Sequence, residues 1–110
     1  MAIEDSAGEG TTEINTSRQE LNEVLGYIAR ECGKVVTSEQ QVVGALKNLG
    51  YEPFGGHPRF MRKGTQLEKG DTRIELFETL IGEKSTRPVV ELRFYGPCFH
   101  ANKFLEQKVA

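Results

Sequence analysis

The sequence predicts an α+β fold: two N-terminal helices, a three- to four-stranded antiparallel sheet and a C-terminal helix. Three observations predict it. Apolar residues recur at helical spacing in Ser17 to Cys32 and in Ser38 to Leu49. Between Tyr51 and Tyr95 they change to alternation and short apolar runs, and from Pro97 to Lys108 helical spacing returns. The 110 residues fit a single domain. At this length about 65% of the unfolded surface can be buried, which leaves a modest core and little room for an enclosed active site.

Residues Met1 to Thr16 stand outside the pattern. They hold Glu4, Asp5, Glu9 and Glu13 and no basic group, and beyond Met1 and the alanines their apolar residues are Ile3 and Ile14. Such a stretch buries too little surface to offset the entropy of ordering. It reads as a flexible acidic tail, with residues 17–110 as one α+β domain. The whole chain carries 14 basic and 16 acidic side chains, and removing the four acids of the tail leaves 14 against 12. That balance is far from the strongly basic surface of a dedicated duplex binder. The acidic terminus reads as a solubiliser.

The first helix opens on Ser17-Arg18-Gln19-Glu20, the spacing of a capping box. Leu21, Val24, Leu25, Ile28 and Cys32 then fall on one helical face, and Gly33 stops it. Ser38 is the expected cap of the second helix, with Gln41 at the box position and Val42, Val43, Ala45, Leu46 and Leu49 as its stripe. Gly50 ends that helix, and Tyr51 is placed for the apolar contact of a Schellman cap.

A short extended piece, Tyr51 to Phe54, is broken by Gly55-Gly56-His57-Pro58. Arg59 to Leu67 then reads as the hairpin partner of Thr72 to Ile81, with Glu68 to Asp71 as the turn. In the longer strand Ile74, Leu76 and Leu80 share a face with Glu78, while Phe77 and Ile81 lie opposite. Either both faces are partly covered or a bulge near Phe77 resets the phase. Gly82 to Pro88 reads as an exposed loop, and Val89 to Tyr95 alternates cleanly. Gly96-Pro97 ends the sheet and starts the last helix, with Cys98, Ala101, Phe104 and Leu105 as its apolar face.

The cysteines are Cys32 and Cys98, and the chain has neither a signal-peptide core nor an apolar run that could cross a bilayer. A soluble, cytoplasmic protein with reduced thiols and no membrane contact is the expectation. No cofactor or metal is expected. Cys32, His57, Cys98 and His100 are potential zinc ligands, but their one short spacing is Cys98-x-His100, not the ligand pairs of structural zinc.

Two residues have the chemistry of an enzyme. His57, after two glycines and before a proline, could serve as a general base, but it reads first as an exposed turn histidine. Cys98, at a helix start, could be a low-pKa thiol, and it also fits as a packed apolar residue. No nucleophile or carboxylate is fixed beside either by spacing, so no catalytic residue is assigned. A surface feature is stronger: Arg59, Phe60, Arg62, Lys63, Lys69 and Arg73 interleave basic and aromatic groups in one hairpin. Sheets that bind single-stranded nucleic acid use that combination, and edge strands also carry such charges to block aggregation.

The order α, β, β, β, α from Ser38 to Lys108 resembles the topology of double-stranded RNA-binding domains and of HicA-type toxins, which pair such a sheet with a glycine-flanked histidine. The resemblance is one of element order. Where the RNA-binding domains start their last helix with lysines, this chain reads Gly96-Pro97-Cys98-Phe99-His100, and Gly56-His57 lacks the rest of a toxin motif. No family follows from it.

The leading functional expectation is a small non-enzymatic regulatory or accessory module that binds a protein partner, or a copy of itself, through a sheet face or edge. Phe77, Ile81, Val89 and Tyr95 would form a second apolar surface if Ile74, Leu76, Val90, Leu92 and Phe94 form the core, and a two-faced sheet needs a second cover. The alternative is RNA or DNA binding through Arg59 to Arg73, and a third reading is an enzyme using His57 or Cys98.

Overall fold

The computed structural model describes residues 8–53 and 64–108, with side chains from residue 12. In chain order they form α1 (Gly8–Cys32), α2 (Glu39–Asn48), β1 (Glu52–Pro53), β2 (Thr65–Lys69), β3 (Thr72–Ile81), β4 (Arg87–Gly96) and β5 (Phe99–Glu106). The strands build one antiparallel sheet in the order β1-β2-β3-β4-β5, so each pairs with its neighbour in sequence.

The α+β class and the two leading helices agree with the sequence reading, but the C-terminal helix does not exist. Phe99–Glu106 is the fifth strand, and it pairs with β4 from Gly96↔Phe99 to Val89↔Glu106. The residues fit both periods: Cys98, Ala101, Phe104 and Leu105 mark a helix face, while Phe99, Ala101 and Leu105 alternate as a strand. Long-range pairing decides between them. Without β5, the apolar strand β4 would present a long row of unpaired backbone groups. Pro97 and Cys98 make the reversal, Pro97 with its ring-fixed negative φ and Cys98 with φ +57°, the order that a type II turn uses. With the last element a strand, the α, β, β, β, α order falls away too.

The first helix also departs from expectation. It begins at Gly8, so Ser17 is inside it and not its cap. Ser17 is buried, and its Oγ donates to the Pro97 carbonyl at 2.9 Å. Glu20 accepts the Thr72 hydroxyl at 2.6 and 3.2 Å instead of reaching back to a cap. Residues 8–16 are therefore helical, whereas residues 1–7 lie outside the described chain. α1 approaches β4 closely because residue 96 is glycine: a Cβ there would stand 2.7 Å from Ser17 Oγ.

α2 follows its sequence grammar closely. Ser38 Oγ accepts from the Gln41 N–H at 3.3 Å, and Gln41 Oε1 accepts from the Thr37 N–H at 2.7 Å. At the other end the Tyr51 N–H reaches the Leu46 carbonyl and the Gly50 N–H the Lys47 carbonyl, both at 3.0 Å. With Gly50 at φ +98°, this is a complete Schellman motif.

Both helices cover one face of the sheet. Leu21, Val24 and Ile28 of α1 and Val42, Val43 and Leu46 of α2 join Leu67, Ile74, Leu76, Val90, Leu92 and Phe94 in a single core. The β3–β4 register runs without interruption from Arg73↔Tyr95 to Ile81↔Arg87, so no bulge resets the phase at Phe77. Among the described residues, no helix is long and apolar enough to cross a membrane.

Candidate interaction face

Residues opposite one another in a ladder point to the same side of the sheet. With Ile74, Leu76, Leu92 and Phe94 under the helices, the odd-numbered residues of β3 and β4 must look the other way. Phe77, Ile81, Val89 and Tyr95 therefore share the face that the described helices leave alone. β5 adds His100, Asn102, Phe104 and Glu106 to it, opposite Tyr95, Arg93, Glu91 and Val89. Val89 is 0% exposed although it belongs to this side and not to the helix-packed cluster, whereas Phe104 is 50% exposed.

The polar groups on this face are held in short chains. Gln66 Nε2 donates to Glu75 Oε2 at 3.1 Å and the Tyr95 hydroxyl to Glu75 Oε1 at 3.2 Å. Arg93 Nε donates to Glu91 Oε2 at 2.8 Å, and Asn102 Nδ2 donates to the same oxygen at 3.3 Å. The Arg93 guanidinium also lies 5.0 Å from the centre of the Phe77 ring, a cation–π distance. Tyr95 and His100 meet edge to face at 5.1 Å. At the rim, Arg87 pairs with Glu106 at 2.9 Å. Burial, followed by the charge of Glu75, raises the Tyr95 phenol, and the hydrogen bond to Glu91 raises Arg93. The phenol stays neutral and the guanidinium charged at any physiological pH.

The remaining candidates are dispersed. His57, Arg59, Phe60, Arg62 and Lys63 lie outside the described residues. Lys69 and Arg73 fall on opposite faces, because Lys69 pairs with Thr72 on the helix side and Arg73 with Tyr95 on the other. Lys69 Nζ donates to the Leu49 carbonyl at 2.8 Å and lies 5.5 Å from the Tyr51 ring centre, so it finishes the C-terminus of α2. Cys98 is exposed in the β4–β5 turn, not on a helix, and its Sγ donates to Glu13 Oε2 at 3.0 Å. That hydrogen bond and the Glu13 charge push its pKa up, away from a thiolate nucleophile. Cys32 is half-buried, and burial raises its pKa too. Among the described residues no three histidines, cysteines or carboxylates gather as a metal site. A groove of about 390 Å³ runs between Glu13, Ser17 and Glu20 of α1 and Lys69, Asp71 and Thr72. Its α1 carboxylates are already engaged, Glu13 by Cys98 and Glu20 by Thr72.

Sequence reasoning missed His100, Asn102 and Phe104 as members of the face, because it placed them on a helix. The alternation Phe99, Ala101, Leu105 was the signal that could have found them. Comparison with protein-family models, with curated proteins and with solved structures returns no match.

Proposed function

We propose that this chain is a small, non-enzymatic regulatory or accessory module of the cytoplasm that binds a protein partner through the sheet face bearing Phe77, Ile81, Val89 and Tyr95. The observation that supports this is the make-up of that face: aromatic and apolar side chains set among charges already paired within the chain. Docking a protein there costs little desolvation of free charge, and aromatic and arginine side chains are the usual anchors of such contacts. The face suits phosphate poorly, since Glu68, Glu75, Glu91 and Glu106 accompany Arg73, Arg87 and Arg93. The division of Lys69 and Arg73 between two faces, and the raised pKa of Cys98, weigh against the nucleic-acid and enzyme alternatives.

The test is solution mass of the full chain with total cellular protein and, separately, with total cellular RNA, at low and moderate salt. The expected result is a protein complex that persists as salt rises and is lost in Ile81→Asp, a variant whose melting temperature should stay close to the wild type. An RNA complex that dissolves with salt, with no protein complex, would overturn the reading.

A further inference from the structure

β5 is the outer strand on one side of the sheet; the opposite margin is the two-residue β1, which contains Pro53. The backbone at the end of β5 shows which groups look outward. The Glu106 carbonyl accepts from the Val36 N–H at 2.8 Å, and the Lys108 N–H donates to the Val36 carbonyl at 2.7 Å. Between them the Gln107 N–H turns inward, to the Pro88 carbonyl at 3.2 Å. Alternation along the strand then turns the backbone groups of His100, Asn102 and Phe104 away from β4. No described strand lies along that stretch.

We infer that this edge pairs, antiparallel, with the same edge of a second copy of the chain, with Asn102 opposite its own counterpart. His100 then stands opposite Phe104, Ala101 opposite Lys103, and Phe99 opposite Leu105. The outward residues His100, Asn102 and Phe104 exchange N–H···O bonds across the axis. This register is selected by what the others do. Centring the pair on Lys103 sets two ammonium groups directly opposite, which is unfavourable. Centring it on Phe104 calls on the Glu106 carbonyl, which Val36 already occupies. Centring it on Ala101 brings Phe104 against Cys98 in the turn and forfeits its pairing with His100. The Asn102 register puts an imidazole beside a phenyl ring on one face and two apolar side chains together on the other, pairs that stabilise a ladder.

The association is closed. β1 is short and carries a proline, so the far margin offers a poor template for a further strand, and growth stops at a twofold pair. This edge is distinct from the sheet face proposed above, and the two can fail separately.

Sedimentation equilibrium of the full chain at micromolar concentration should give twice the 12.3 kDa of one chain. Phe104→Pro removes an outward N–H while sparing the β4 ladder, so it should return the mass to that of one chain. Ile81→Asp, on the face, should leave the doubled mass unchanged. Should the proline variant fail to fold, cross-linking tests the register. In a Cys98→Ser background with oxidised glutathione, Asn102→Cys should join two copies: each pair of thiols gives up two electrons and two protons, and the glutathione disulfide is reduced to two thiols. Opposite Cα atoms in such a pair are about 5.5 Å apart, within disulfide reach, whereas Lys103→Cys would meet its counterpart only diagonally, at about 7–8 Å. A single-chain mass for the wild type, or equal cross-linking at both positions, overturns the inference.

Discussion

On β3 and β4 the two faces carry the same backbone and quite different physics. Ile74, Leu76, Val90, Leu92 and Phe94 are 0% exposed beneath the helices and are held by the removal of apolar surface from water. Across the pleat, Arg73, Glu75, Glu91, Arg93 and Tyr95 remain partly or fully exposed, and the hydrogen bonds there join neighbouring side chains. Stability is therefore concentrated on the helix side. Apart from the buried Val89, the other side can vary in sequence with little loss of fold, which is the freedom that a recognition surface requires.

The contrast breaks if the two faces respond alike to substitution. Leu92→Ala leaves a cavity in the core and should cost about 2–5 kcal/mol, read as a lower urea midpoint at unchanged slope. Gly96→Ala forces a methyl group against Ser17 and should cost about 1–3 kcal/mol in the same titration. Tyr51→Phe probes a polar atom inside the core, for among the described residues the Tyr51 hydroxyl is buried near the Glu20 carboxylate without a well-formed hydrogen bond. Its removal should gain about 1 kcal/mol at neutral pH. Burial, followed by the neighbouring Glu20 carboxylate, raises this phenol well above its ordinary value. The folded state thus favours the neutral form. The group leaves stability independent of pH below its unfolded pKa of about 10, and stability falls as pH rises from there through the folded value. Melting temperatures between neutral and strongly alkaline pH should show that decline in the wild type and a shallower one in Tyr51→Phe. At the open rim, Arg87→Ala removes an exposed ion pair and should change stability by less than about 1 kcal/mol, with the residue smaller still at high salt.

The same division governs how far the structure could be read in advance. α2 was legible at both ends, because Ser38, Gln41 and Gly50 act within a turn of where they stand. The faces of β3 and β4 were legible from alternation, which is why Phe77, Ile81, Val89 and Tyr95 come out on one side. The start of α1 was not. Ser17 has the chemistry of a cap, but its hydroxyl is taken by a carbonyl 80 positions away. β5 was misread for a related reason. Its residues suit either period, and the unpaired edge of β4 that decides between them lies outside any local window.

The order β1-β2-β3-β4-β5 has a kinetic consequence. Each ladder joins neighbours in sequence, and the β2–β3, β3–β4 and β4–β5 hairpins close over short connections, so they can form in succession. The contact of α1 with the β4–β5 turn, by comparison, joins residues 80 positions apart. Docking of α1 is then the late event, and Ser17→Ala is expected to accelerate unfolding while leaving the refolding limb of the chevron almost in place. A slower refolding limb would instead make that contact part of the nucleus. With α1 docking late, the molecule would be most vulnerable to proteolysis not at its sheet but along its longest helix.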